Sequence, residues 1–193
     1  MQLSNGVSIE RMGSAMVLLF GRPETRNPLS IRVIEALTAA LDGIDSSVER
    51  IIFTGTDGVF ASGADLREIS EVTAANAEEF ALRGQRLMRL ISTISVTTIA
   101  AVNGYCYGGA LDLTLACNSR IASPSSEFCH PGVGLGIMTG WGGTQRLPQL
   151  IGEAGALDMF LTAKKVGAGE ALHLGLIDQI AEYPVAEAIQ AYL

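Results

Sequence analysis

The residues with the clearest chemical potential lie at positions 103–117, NGYCYGGALDLTLAC, directly after a β-branched, apolar run at 96–102. The run predicts a buried strand, and the glycines predict a turn that opens a helix at Gly108 and Gly109. A helix N-terminus has unpaired N–H groups and the positive end of the helix dipole, and glycine lets a ligand approach the backbone closely. Such a turn favours an anion, or an oxygen that becomes negative during a reaction.

A carboxylate accompanies this turn. Asp112 follows Gly109 by three residues, so a helix would place both on roughly the same face. A carboxylate beside an oxyanion site can move a proton, which indicates an enzyme. The alternative is that Asp112 only stabilises the helix dipole, by about 0.3–1 kcal/mol.

Short strands and helices alternate along the chain and must position these residues. We predict a hairpin over 8–20 around a turn at 13–14, and strands at 50–55, 97–102 and 120–123. We predict helices at 29–44, 74–94, 109–117, 142–151, 153–161 and 168–174, with Ser30 as an N-cap of the first. This order predicts an α/β fold with parallel strands, whose ligands gather where strands end and helices begin. Both glycine turns, at 62–63 and 108–109, follow strands.

Composition narrows the class of protein. With 193 residues, the chain fits one domain over 1–193, and a net charge of −7 argues against nucleic acid or an anionic membrane as the main partner. We find no apolar stretch of membrane-spanning length and no signal peptide. The three cysteines fit reduced thiols, and their spacing is not a metal pattern. We therefore expect a cytoplasmic enzyme without a metal.

Four strings resemble, in order, the signatures of the crotonase (enoyl-CoA hydratase/isomerase) superfamily. They are RPETRNPL at 22–29, FASGADLRE at 60–68, AVNGYCYGGALDL at 101–113 and GWGGTQRLP at 140–148. The match continues through 161–178 and covers about residues 7–180. The resemblance implies a crotonase-like (ClpP/crotonase) spiral of ββα repeats. It also implies an acyl-coenzyme A thioester as substrate and no prosthetic group.

The resemblance also implies site roles. Family members hold the thioester carbonyl with two backbone N–H groups, which correspond here to Ala64 and Gly109, and each such donor lowers a barrier by a few kcal/mol. The positions that the resemblance assigns to coenzyme A binding are Arg26, Ala61, Asp65, Leu66 and Gly108. The alternatives are a solvated charge for Arg26, a helix cap for Asp65 and ordinary tight turns for the glycines.

The chain departs from the hydratase pattern at one position. Hydratases of the family hold a water with two glutamates, at positions that correspond here to Asp112 and Gly132. Because glycine cannot transfer a proton, we favour isomerase-type chemistry by Asp112 over hydration. Dienoyl-CoA isomerases that have aspartate at position 112 carry further acids where this chain has Gly132 and Gly140. His130 is the other titratable group near Gly132. It either acts as an acid or base, or is a histidine whose hydrogen bonds are satisfied at a strand end.

Several further expectations concern the reaction, the C-terminal region, the assembly and the acyl pocket. Decarboxylation or thioester hydrolysis would share the oxyanion site, and a catalytically degenerate acyl-CoA-binding or scaffold subunit is the alternative to an enzyme.

Relatives usually continue with helices that cover the acyl pocket, whereas residues 184–193 begin one helix here, so we expect a shortened C-terminal helical region. The resemblance implies a homo-oligomer, a trimer or hexamer. Candidates for lining the acyl pocket, or for plain core, are Tyr105, Tyr107, Met138 and Trp141.

Overall fold

The computed structural model describes residues 5–190, which form twelve strands and seven helices. The strands are β1 (Val7–Met12), β2 (Ala15–Phe20), β3 (Pro28–Leu29), β4 (Arg50–Thr54), β5 (Val59–Ala61), β6 (Gly63–Ala64), β7 (Thr97–Val102), β8 (Tyr105–Tyr107), β9 (Ser119–Ala122), β10 (Glu127–Cys129), β11 (Val166–Gly167) and β12 (Gln179–Ile180). The helices are α1 (Ile31–Asp42), α2 (Leu66–Ser70), α3 (Ala77–Thr93), α4 (Gly109–Ala116), α5 (Gly143–Thr162), α6 (Ala168–Leu174) and α7 (Pro184–Gln190). Short 3₁₀ helices cover Pro23–Thr25 and Pro131–Leu135.

The chain winds between two sheets. A six-stranded sheet has the order β1-β2-β4-β7-β9-β12, and a four-stranded sheet has the order β11-β10-β8-β5. Turns of the spiral place one strand in the first sheet, the next in the second sheet, and then a helix, as in β7-β8-α4. In β2-β3-α1 and β4-β5-β6-α2, the short strands β3 and β6 pair with each other in a separate two-stranded sheet. Apart from β1 with β2 and β10 with β11, the pairs within these two sheets are parallel. The predicted spiral of ββα repeats is confirmed.

Local sequence explains the elements that hold the core. In α1, Ser30 accepts a hydrogen bond from the Val33 N–H at 3.4 Å, which confirms the predicted N-cap. The apolar residues of α1 at helical spacing are buried. Strand β4 is buried along its whole length, because both faces of the sheet are covered. Helix α4 is also buried, from Ala110 to Ala116.

The structure corrects the prediction for the segment between the strand at 97–102 and the turn at Gly108. The predicted strand at 97–102 does not lead directly to the turn at Gly108, because β8 lies between them and joins the second sheet. Strands β5, β8 and β10 have three residues each, which is too short to show an alternation of apolar residues. The predicted helices at 142–151 and 153–161 are two arms of α5, joined at a kink where Gly152 has φ +80°.

The ends of the chain meet the predictions only in part. Helix α7 begins at Pro184, as predicted, and residues 191–193 lie outside the described residues. Residues 1–4, on which the expectation about a signal peptide partly rested, also lie outside them. Between residues 5 and 190, none of the helices combines the length and the apolarity that crossing a membrane requires.

Candidate active site

A cavity of about 290 Å³ opens where three neighbouring strands of the second sheet end. The residues that follow β5, β8 and β10 all contribute to its wall, as expected for a ligand site in an α/β fold. The lining residues are Ser62, Ala64, Leu66, Ile69, Val72, Phe80, Ala81, Gly108, Gly109, Asp112, His130, Pro131, Gly132, Val133, Leu135, Ile137, Met138, Thr139, Gly140, Trp141 and Phe160. Most of this wall is apolar, and two of its few polar side chains, Thr139 and His130, lie beside Asp112.

The two glycine turns meet at this cavity. A Cβ on Gly63 would lie 2.7 Å from both the Gly109 nitrogen and the Tyr107 oxygen, so the backbones of the two turns are in direct contact. Gly63 has φ +88° and Gly108 has φ +53°, conformations that favour glycine. Gly109 is the first residue of α4, so its N–H has no acceptor within the helix. The contact therefore brings Ala64 and Gly109 to one wall, as the sequence predicted.

Asp112 lies on α4, one turn after Gly109, and its side chain is fully buried. The Thr139 hydroxyl donates a short hydrogen bond to Asp112 Oδ2, and the backbone N–H groups of Trp141 and Gly143 also favour the carboxylate. Burial outweighs these contacts and raises the pKa of Asp112 to about 7. The group is thus able to accept or release a proton near neutral pH.

His130 faces Asp112 across the cavity wall. Its Nε2 lies 3.7 Å from Asp112 Oδ1, and neither atom has a hydrogen-bond partner among residues 5–190. The ring packs against Phe160 at a centroid distance of 4.9 Å, and burial lowers the pKa of His130 to about 4. The imidazole is therefore neutral near pH 7. None of the described residues supplies a hydrogen bond to Nε2, and the role of His130 stays a prediction.

Position 132 has no space for a side chain. Gly132 lies in the 3₁₀ helix Pro131–Leu135 and lines the cavity, but a Cβ there would come within 2.5 Å of the Ile137 carbonyl oxygen. Glu127, the nearest other carboxylate in sequence, contacts Tyr107 and Lys165 instead. Among the lining residues that the structure describes, Asp112 is the only carboxylate.

The residues assigned to coenzyme A are only partly at the cavity. Leu66 and Gly108 line it, and Leu66 is 57% exposed. Arg26 is exposed and adjacent to the first turn, because its carbonyl accepts a hydrogen bond from the Ser62 N–H at 2.9 Å, but its side chain is not in the wall. Ala61 is fully buried in β5 and outside the wall. Its role and that of Arg26 stay predictions.

Asp65 fits the alternative interpretation as a helix cap. Its carboxylate accepts a hydrogen bond from the Arg67 N–H at 2.9 Å and pairs with the Arg67 guanidinium at 3.0 Å. These contacts with Arg67 lower the pKa of Asp65. Both carboxylate oxygens are therefore engaged with residues of α2, and Asp65 does not line the cavity.

Sequence reasoning missed Thr139 and the backbone around it. A Cβ on Gly143 would lie 2.1 Å from Asp112 Oδ1, so only glycine allows the start of α5 to approach the carboxylate this closely. The paired glycines at 142–143 were the signal that the sequence offered. Of the four residues proposed for the acyl pocket, Met138 and Trp141 line the cavity, whereas Tyr105 and Tyr107 do not.

Comparisons with known proteins agree with this geometry. A family model described as enoyl-CoA hydratase/isomerase matches residues 10–190. A crotonyl-CoA hydratase from Syntrophomonas wolfei is 38% identical over 181 residues, which cover 91% of this chain and 69% of that protein. A short-chain-enoyl-CoA hydratase from Clostridium acetobutylicum is 36% identical, with coverage of 92% and 69%. The crystal structure of an enoyl-CoA hydratase from Thermoplasma volcanium superimposes with a TM-score of 0.93 at 30% identity, covering 98% of this chain and 76% of that one.

Proposed function

The chain belongs to the enoyl-CoA hydratase/isomerase family, and from its site we propose that it moves a proton between carbons of an acyl-CoA thioester, with Asp112 as the acid/base. The superfamily predicted from the motifs is thereby confirmed. One observation carries the proposal. Asp112 is the only carboxylate in the described wall of the cavity, and it is buried one helical turn from the Gly109 amide.

The two turns supply the electrostatic part of the proposed reaction. Removing a proton beside the thioester carbonyl leaves an enolate, whose negative charge lies mainly on the carbonyl oxygen. The N–H groups of Ala64 and Gly109 would donate to that oxygen. Backbone donors in a buried site are already oriented before the charge develops, and each contributes a few kcal/mol to the barrier reduction.

Asp112 would carry the proton. Its carboxylate takes a proton from the α- or γ-carbon of an enoyl thioester and becomes a carboxylic acid. It then returns that proton to the other end of the conjugated system, so the double bond moves and no other reactant is consumed. A pKa of about 7 makes both steps accessible near neutral pH, and Thr139 holds the carboxylate in place.

The wall supports isomerisation over a two-glutamate hydration. The second carboxylate is absent at Gly132, and the Ile137 carbonyl oxygen lies 2.5 Å from the place that a Cβ would take. A single group that moves one proton twice needs no partner, whereas addition of water requires an acid and a base around the same water.

One observation favours hydration as a second candidate. His130 Nε2 and Asp112 Oδ1 are 3.7 Å apart, buried and without hydrogen-bond partners among the described residues. A neutral imidazole and a carboxyl group at this separation are able to share a water, with His130 in place of the missing glutamate. The relatives named crotonyl-CoA hydratase and short-chain-enoyl-CoA hydratase add support.

Isomerisation and hydration are distinguished by the substrate that is converted and by the activity of two variants. We expect the protein to convert a β,γ-enoyl-CoA to its α,β-isomer, and Asp112→Asn to abolish this conversion while His130→Gln preserves it. If hydration is the main reaction, crotonyl-CoA loses its enoyl absorbance, and both variants are inactive. Tight acyl-CoA binding without either reaction would instead support the scaffold alternative.

Assembly and location are also part of the proposal. We propose a homo-oligomer, a trimer or hexamer, which resides in the cytoplasm and binds an acyl-CoA substrate. Sedimentation at micromolar concentration tests the assembly, and a species at the 20.3 kDa mass of one chain would refute it.

A further inference from the structure

Trp141 is a rigid part of the cavity wall on the side of α3. Its side chain lines the cavity and is only 4% exposed. The indole fills the gap between two helices. A Cβ on Gly84 in α3 would lie 2.2 Å from its Nε1, and a Cβ on Gly109 in α4 would lie 2.3 Å from its Cζ3. Both glycines are therefore needed to admit the ring.

Hydrogen bonds fix the backbone on both sides of this ring. The Arg146 Nη1 donates to the Trp141 carbonyl oxygen at 3.3 Å, and the Gln85 side chain donates to the Gly140 carbonyl oxygen at 2.9 Å. Phe80 supports the indole at a centroid distance of 6.3 Å. The ring is thus held from α3, α4 and α5 and has little freedom to move away from a ligand.

Three other residues of the cavity wall have a different character. Leu66 is 57% exposed, Leu135 is 52% exposed and Met138 is 54% exposed. Exposed side chains adjust more readily than a buried indole. Among these four lining residues, Trp141 is therefore the one that cannot move aside for a longer ligand.

We propose that Trp141 sets the upper size of the acyl group by filling the gap between α3 and α4 into which the cavity would otherwise extend. The inference rests on the proposed acyl-CoA function and names the residue that selects among acyl chains. The ring touches Gly109, whose amide is the proposed donor to the thioester oxygen, so it lies next to the acyl carbons that react. Replacement by a smaller residue extends the cavity and keeps Asp112 and every residue of the two turns in the sequence.

The experiment is calorimetric binding of saturated acyl-CoAs from butyryl to dodecanoyl, which contain no double bond to isomerise. For the wild-type protein, affinity should rise with chain length and then stop rising. In Trp141→Leu it should continue to rise for one or two more methylenes, each worth about fourfold in affinity. The ratio of affinities for the longer and shorter chain at that limit should thus increase about four- to sixteenfold.

The controls separate the possible failures. Phe20→Leu removes a buried ring that does not line the cavity and should lower stability without moving the length limit. If Trp141→Leu does not fold by circular dichroism, Trp141→Phe keeps an aromatic ring and should shift the limit in the same direction by less. An unchanged length profile in a folded variant overturns the inference. Absence of binding of every acyl-CoA to the wild-type protein overturns the proposed function itself.

Discussion

The two turns at the cavity both contain glycine with a positive φ but lead into helices of opposite character. The turn at Gly63 leads through Asp65 into α2, which has five residues, none of them buried. The turn at Gly108 leads into α4, which has eight residues and is buried from Ala110 to Ala116. Both turns follow strands of the same sheet, and Ala64 and Gly109 line the same wall.

This difference separates a fixed half of the site from an adaptable half. Preorganised donors and a desolvated carboxylate need a support that does not move when charge develops, and a buried helix provides it. An exposed helix with few packed side chains opens locally at low free-energy cost, which suits a wall that must admit a ligand. The chemistry should therefore depend on α4, and ligand entry should depend on α2.

The largest effect should come from the charge on the buried helix. Asp112→Asn keeps the shape but removes the proposed proton carrier, so kcat should fall about 10²- to 10⁴-fold. The wild-type rate should rise with pH around the pKa of about 7, and the variant should lose this step. Glu71→Gln, at the exposed end of α2, is the matched control and should leave the rate unchanged. A wild-type rate in the Asn variant would remove Asp112 from the mechanism.

The same carboxylate should make stability depend on pH. Its pKa is about 7 in the folded protein and 3.8 for an ordinary aspartate, so the folded state binds more protons and stability falls as pH rises through this window. Between pH 5 and pH 8 the wild-type protein should lose about 2–3 kcal/mol relative to Asp112→Asn. His130 is present in both proteins, so its own titration largely cancels. Urea unfolding at the two pH values measures the difference, and parallel pH profiles would contradict the raised pKa.

A substitution at the contact between the two turns should lower stability and activity more than a substitution at a position away from that contact. Gly63→Ala adds a Cβ at 2.7 Å from the Gly109 nitrogen, whereas in Gly108→Ala the nearest atom lies 3.9 Å from the new Cβ. Both variants carry the cost of a positive φ, about 1–2 kcal/mol, but only Gly63→Ala forces the turns apart. We expect it to lose about 2 kcal/mol more stability and about 10²-fold more kcat/KM, because one donor is displaced. Equal losses in the two variants would mean that the contact between the turns has no role.

The sequence predicted the regular elements well and the contacts between them poorly. Helix α1 was predicted at 29–44 and is found at Ile31–Asp42, because its apolar residues repeat at helical spacing. Strand β7 was predicted at 97–102 and is found at Thr97–Val102, because a buried β-branched run is bounded by polar residues and glycine. Asp112 and the glycine turns were found from local chemistry, since a helix start and its first turn are close in sequence.

The parts that the sequence could not predict depend on pairing between distant segments. The distance between His130 and Asp112 is set by the parallel pairing of β8 with β10, which brings residues 18 positions apart to one wall. The closure of position 132 depends on a backbone carbonyl at Ile137, and the restraint on Asp112 comes from Thr139. None of these contacts has a periodic signal. They follow only from the three-dimensional arrangement of turns and short strands.

The smallest loss of stability should come from removing Asp65, the N-cap of the exposed helix α2. The part of the chain that is destabilised should be more informative than the size of the loss. Asp65→Ala removes the acceptor for the Arg67 N–H and the ion pair with Arg67, at a cost of about 1 kcal/mol or less. Ser30→Ala removes the corresponding cap from α1, which packs on the core. Because no residue of α2 is buried, its loss should stay local. Hydrogen exchange should accelerate at residues 66–70 and at Ile31, whose N–H donates to the Glu68 carboxylate at 2.9 Å.

The activity of these two variants extends the comparison. A frayed α2 should raise KM and leave kcat nearly unchanged, because the donor at Gly109 and the carboxylate at Asp112 are held by α4. Ser30→Ala should lower the global free energy of unfolding and leave both kinetic constants unchanged. Since the hydrogen bond with Arg67 lowers the pKa of Asp65, the cap contributes above the ordinary aspartate pKa and is lost as pH falls. A fall in kcat with Asp65→Ala would show that α2 also fixes the reacting groups, and the division between the two helices would then be wrong.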